Sequence, residues 1–190
     1  MLKPWNHFHY SGIDYRTPTS DGRSFCFDIF SLTCRQISRE DFQTYMEDNE
    51  KYMKDALREA IQAGAEDEVP IGAVIVCHGR IIGKGHNMTE RLNDPTAHVE
   101  MIAITAATEA MGGKYLNDCT IYVTVEPCPM CAGALAWSQI GKVVYGASDP
   151  KRGFSLFSPS LMHPKTEVVS GVLAEECGNL VSDFFKKKRG

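Results

Sequence analysis

From Met53 onward the apolar residues Met53, Ala56, Leu57, Ala60 and Ile61, with Gly64, recur at the spacing of one helix face. Before them, residues 1–45 show neither the helical nor the strand period and carry turn formers such as Ser11-Gly12, Thr17-Pro18 and Asp21-Gly22. This contrast predicts a poorly ordered amino-terminal extension over 1–45 and a folded domain over 46–190. It also sets the expectation that native translation starts at Met46 or Met53, with the preceding segment an upstream read-through of non-coding sequence.

The nearly continuous apolar run Ile71–Val76, the dipeptide His78-Gly79 and the run Arg80–Gly85 predict a hairpin with a short turn. Asn93-Asp94-Pro95-Thr96 then breaks the chain, and a helix is expected from Ala97 to Met111, stopped by Gly112-Gly113. Thr120–Val125 is short and rich in β-branched residues, so it reads as a strand. A helix over Met130–Gln139 and a strand over Lys142–Gly146 follow, an order that implies a parallel crossover. After a long loop over Ala147–Lys165, Glu167–Ser170 is expected as a last short strand. Leu173, Cys177, Leu180, Val181 and Phe184 then define a terminal amphipathic helix. The fold class expected is α/β, in three layers around a mixed central sheet of about five strands flanked by helices.

Composition narrows the setting. The chain has 190 residues, 43% of them apolar, enough for one catalytic core. No apolar run approaches the roughly 20 residues of a membrane helix, and polar residues interrupt the amino terminus too often for the core of a signal peptide. A cytoplasmic location is therefore expected. Seven cysteines, odd in number and thinly spread, point to reduced thiols or metal thiolates rather than a disulfide framework. With a net charge of −4, any nucleic-acid surface has to be a local patch, and Lys186–Arg189 supplies the obvious one.

Two short segments carry candidate chemistry. His98-Val99-Glu100 opens one helix, and Pro127-Cys128-Pro129-Met130-Cys131 joins a strand to the next. Cysteines three apart in a first helical turn point the same way and can share one zinc at about 2.3 Å. A structural zinc is usually closed by four protein ligands, whereas a catalytic one keeps three and leaves a position for water. His98, Cys128 and Cys131 make three. Glu100, two residues from His98 and so on nearly the opposite side of a helix, is poorly placed as a fourth ligand; its longer arm suits a general acid/base instead. Taken alone, the C-x-x-C pair also reads as a redox or structural zinc pair.

The pattern H-x-E followed by P-C-x-x-C resembles that of the zinc nucleobase deaminases. The wider strings Asn93–Glu100 and Val123–Ala134 are similar to those of the bacterial tRNA-specific adenosine deaminases within the cytidine/deoxycytidylate deaminase family. The resemblance extends over about residues 46–190. It implies a cytidine-deaminase-like fold, one zinc ion per chain, and hydrolysis of a tRNA wobble adenosine to inosine with Glu100 as the proton carrier. It further implies base positioning by Asn87, contacts near the RNA backbone from Asp149 and Lys151, RNA contact by Phe185 with the basic tail, and a homodimer that binds the anticodon stem-loop of tRNA. Bland readings stand beside these: Asn87 as a hairpin-end residue, Asp149-Pro150 as a turn initiator, Phe184 as core, and the basic run as a solvated helix end. His78, His86 and His163 read as surface or turn histidines. Val99 replaces the family's commoner alanine, and Phe154–Pro159 lacks its small-residue stretch, so deamination of a free base or nucleotide such as guanine, cytosine or deoxycytidylate is the alternative.

Overall fold

The computed structural model describes residues 24–26, 35–37, 39–157 and 161–190. The chain divides into two compact units, 1–46 and 47–190. In the first, β1 (Ser24–Cys26) pairs antiparallel with β2 (Arg35–Ile37), and helix α1 (Arg39–Ala65) begins. The expectation for residues 1–45 falls mostly on positions outside the described residues.

The second unit holds a five-stranded sheet in the order β4-β3-β5-β6-β7. Its strands are β3 (Gly72–Cys77), β4 (Arg80–His86), β5 (Cys119–Val125), β6 (Lys142–Ala147) and β7 (Glu167–Ser170). The hairpin β3–β4 turns on His78 and Gly79, both at positive φ, and β3 pairs antiparallel with β5. The remaining pairs, β5–β6 and β6–β7, are parallel, so the sheet is mixed as expected. The helices are α2 (Thr89–Leu92), α3 (Val99–Met111), α4 (Pro129–Trp137) and α5 (Ala174–Arg189). Gly112 ends α3 in the left-handed conformation, as the sequence predicts. The four-residue α2 has no sequence period of its own and was not expected.

Strand side chains alternate between two faces, which divides the core in two. Ala73, Ile75, Ile121, Val123 and Val143 pack with Val99, Ala103 and Ala107 of α3 and Ala132 and Leu135 of α4. Their neighbours Val74, Val76, Tyr122 and Val144 pack with Tyr52, Met53 and Ala56 of α1 and Cys177 of α5. The sheet is therefore a middle layer between two helical layers. Glycine lets α3 lie close on the edge strand, since a β-carbon at Gly83 would stand 2.7 Å from the Ala103 carbonyl and one at Gly85 2.7 Å from Ile102 Cγ2. No helix among the described residues is long and apolar enough to cross a membrane.

Candidate metal centre

Both metal-type segments end up as helix caps. His98 is the N-cap of α3 and Cys128 the N-cap of α4, each in an extended backbone conformation, with Pro129 in the first turn where its missing N–H costs nothing. Asp94 prepares the entry to α3 by accepting the N–H and the hydroxyl of Thr96, both at 2.7 Å. On the other side β5 runs into Glu126-Pro127-Cys128, so the strand delivers the first sulfur and the opening turn of α4 the second.

His98, Cys128 and Cys131 each offer one donor atom, and all three atoms lie within 4.8 Å of one another. A zinc ion bonded at about 2.3 Å to sulfur and 2.05 Å to nitrogen with tetrahedral angles sets nitrogen and sulfur about 3.6 Å apart. His98 Nδ1 lies 3.7 Å from Cys128 Sγ and 3.5 Å from Cys131 Sγ. The donor set and its spacing fit zinc with three protein ligands. The protonation chemistry agrees. A hydrogen bond from Cys131, against the cost of burial and with help from the His98 ring, pulls the Cys128 thiol down to about 4. Cys131 is pushed up, first by Cys128 and then by burial and Glu100. The His98 ring is raised by the Cys128 sulfur. The sulfurs thus share a proton where a cation would satisfy both.

Glu100 is buried beside this cluster, and burial pushes its carboxyl up although its own backbone N–H and Cys131 bond to it. Asn87 follows β4 directly and is 5% exposed. Met88 N–H donates to Ala97 O at 3.1 Å, which sets this strand end beside His98. Asp149 turns out to be a turn builder, its Oδ1 accepting the N–H groups of Lys151 at 2.9 Å and Arg152 at 3.0 Å. Lys151 itself is exposed. Phe185 is 41% exposed and lies edge-on to the half-buried Phe184, ring centres 5.4 Å apart, on α5 in the opposite helical layer. Two members of the basic tail are paired, Lys186 with Asp183 at 2.9 Å and Lys188 with Asp67 at 2.6 Å.

Sequence reasoning missed two buried carboxylates that shape the loops around the cluster. Glu68 is fully buried and takes the Arg91 N–H at 2.7 Å on Oε1, with Asn87 Nδ2 and the Thr89 hydroxyl at 3.2 Å on Oε2. Glu126 accepts the N–H groups of Asp149 at 3.1 Å and Ser155 at 3.0 Å, fastening the 149–155 loop next to Cys128. Phe154 N–H closes the same seam on Pro127 O at 2.9 Å. Arg152 is a third omission, because its charge bears on the His98 ring and opposes the ring's protonation.

Residues 46–147 match the cytidine and deoxycytidylate deaminase zinc-binding region. This chain belongs to the cytidine and deoxycytidylate deaminase family. Its fold is that of the family, and it is a zinc-dependent deaminase, a hydrolase. It is 48% identical over 149 residues to the tRNA-specific adenosine deaminase of Bacillus subtilis (strain 168), covering 76% of this chain and 92% of that protein. The tRNA-specific adenosine deaminase of Agrobacterium fabrum (strain C58 / ATCC 33970) is 43% identical, with 76% of this chain and 98% of that protein covered. A solved chain from structural studies of A-to-I editing by tRNA:A34 deaminases at the wobble position of transfer RNA superposes with TM-score 0.64 at 43% identity. That match covers 68% of this deaminase and 98% of the solved chain.

Proposed function

We infer that this deaminase converts adenosine to inosine at the wobble position of tRNA. The observation that carries the reading is the metal centre, three donors at zinc spacing with Glu100 buried beside them, in a chain 48% identical to a tRNA-specific adenosine deaminase. His98, Cys128 and Cys131 hold the zinc, one ion per chain, and residues 46–190 form the catalytic domain. Zinc bound there supplies a water made nucleophilic near neutral pH. Glu100, buried beside these ligands, would carry a proton on a carboxylate oxygen from the attacking water to the departing amine, so that replacing the C6–N6 bond with a C6–O bond releases ammonia. Asn87, at the end of β4, holds the nucleoside. The Asp149 turn presents Lys151 and Arg152 toward the RNA backbone, and Phe185 with the basic end of α5 offers stacking and phosphate contact.

A homodimer is part of the reading. Helix α4 is apolar on its outer side as well, leaving Trp137 86% and Met130 39% exposed, and Leu156 and Phe157 stand out from the neighbouring turn. A patch of this kind is usually covered by a partner. The tRNA substrate and the lack of a membrane-length helix among the described residues fit a cytoplasmic site of action.

The test is inosine formation in an anticodon stem-loop RNA alongside guanine, cytosine and deoxycytidylate. Inosine with no turnover of the small substrates is expected. Turnover of a free base or nucleotide without RNA editing would replace this reading with the alternative. Glu100→Ala should keep zinc and lose deamination; an unchanged cellular function in that variant would instead mark a non-catalytic zinc-stabilised RNA-binding protein.

A further inference from the structure

Glu68 sits at the loop that follows α1, far in sequence from the metal ligands, yet it is fully buried and its partners are the segment 87–91. Its Oε1 accepts the backbone N–H of Arg91, and its Oε2 accepts both Asn87 Nδ2 and the Thr89 hydroxyl. Asn87 Nδ2 also lies 3.0 Å from Thr89 Oγ1. A primary amide has two N–H donors, and here Nδ2 lies within hydrogen-bond distance of two acceptors, Glu68 Oε2 and Thr89 Oγ1. The reversed amide would set Oδ1 3.2 Å from a carboxylate oxygen, two acceptors facing each other with no proton between them. The polarity of the Asn87 side chain is therefore dictated by Glu68.

We propose that Glu68 is a positioning residue that commits both amide hydrogens of Asn87, so that Asn87 meets the substrate only through Oδ1 and recognises a hydrogen-bond donor of the nucleoside. This deepens the tRNA adenosine reading and rests on Asn87 contacting the nucleoside. The ligand feature it selects is an N–H or O–H group; a ring nitrogen lone pair at that position finds no donor.

A polarity exchange tests it. Asn87→Asp faces a carboxylate with a carboxylate, and Glu68→Gln faces an amide with an amide. Together they restore a donor–acceptor pair with direction reversed, and the carboxylate introduced at position 87 still offers an acceptor to the substrate. Each single change should lower Tm by roughly 4 °C or more, with the double variant recovering most of the loss. With an anticodon stem-loop RNA, each single change should raise KM by about tenfold or more with a smaller effect on kcat, and the double variant should return to near the wild-type KM. A double variant whose Tm recovers but whose KM stays as poor as that of Asn87→Asp shows that the substrate needs an Asn87 N–H, and overturns the proposal. No recovery of Tm overturns the pairing itself. If Glu68→Gln does not fold, the wild-type protein answers: NMR signals of the Asn87 side-chain NH₂, identified by their loss in Asn87→Asp, should be slow to exchange and shift little on adding RNA, and a direct bond to the ligand would move them strongly. An enzyme without RNA deaminase activity refutes the function above, while the Tm cycle still reports on Glu68 and Asn87.

Discussion

Gly153 lies so close to the carboxyl group of Glu126 that a β-carbon there would overlap Cδ and both carboxylate oxygens. The backbone of Gly153, φ −60° and ψ 143°, is open to any residue, so the constraint is one of space alone. Gly153→Ala should therefore displace Glu126 from the Asp149 and Ser155 N–H groups, costing about 1–3 kcal/mol. Thermal melting reads the loss, and KM for RNA should rise as the 149–155 loop loosens. Gly178→Ala is the matched control. Its nearest neighbour is Ala147 Cβ at 3.6 Å and it lies in α5, so about 0.5–1 kcal/mol of added stability is expected.

Removing the metal should abolish turnover and destabilise the fold together. A cation linking His98 to Cys131 fastens the start of α3 to the first turn of α4, and without it only the contacts of the His98 ring with the half-buried Cys128 and the buried Cys131 join the two helix ends at this point. Chelation should lower Tm, and zinc alone should restore both Tm and activity. Cys131→Ser should show little zinc by elemental analysis and little activity.

Glu100→Gln should separate metal binding from proton transfer. The amide keeps the size and polarity of a side chain that is 4% exposed, but carries no proton between water and amine. Zinc content and Tm should stay near wild type, with kcat down by about 10²–10⁴-fold. Activity within a few-fold of wild type would remove Glu100 from the chemistry.

Glu68 should leave a mark on acid stability. Burial pushes its carboxyl up, yet bonds from the Arg91 and Glu90 N–H groups, the Thr89 hydroxyl and the Asn87 amide outweigh burial and hold it below the ordinary carboxylate value. A carboxyl lowered in the folded state contributes stability that is fully present above its unfolded value, about 4.3. That contribution is lost as pH falls toward the folded value. The Tm gap between wild type and Glu68→Gln should be constant from neutral pH to about 5 and shrink below it. A gap that stays flat far into the acid range would contradict the assignment.

The basic end of α5 should contribute unequally to RNA binding. Lys186 and Lys188 are already paired with Asp183 and Asp67, so they have a partner to give up before meeting phosphate. Lys187→Ala with Arg189→Ala should raise KM for RNA and flatten its salt dependence by about one to two in log–log slope, with kcat unchanged. The same loss from Lys186→Ala alone would contradict this division.

Most of the second unit was legible in the sequence because its signals are local. The apolar run Ile71–Val76, the β-branched run before Glu126 and the stop at Gly112 each specify an element without reference to the rest of the chain. The metal ligands were legible for the same reason, His98 opening one helix and Cys128 and Cys131 sharing one turn of another. Glu68 and Glu126 were not. A glutamate in a loop reads as solvated, and only the fold brings the N–H groups of residues 90–91 and of 149 and 155 onto these two. One signal was present: Glu126 is a lone charge between an apolar strand and a proline. Asp149 was legible as a turn initiator, and its carboxylate builds that turn.

The exposed indole of Trp137 gives the molecule an optical reporter of its own. Only Trp5 shares the ultraviolet absorption of this side chain, so a Trp5→Phe variant emits from a single ring, six residues along the helix from Cys131. Its fluorescence maximum records whether water or another surface lies against α4, and a blue shift on raising protein concentration, or on adding RNA, would time the covering of that face without a label.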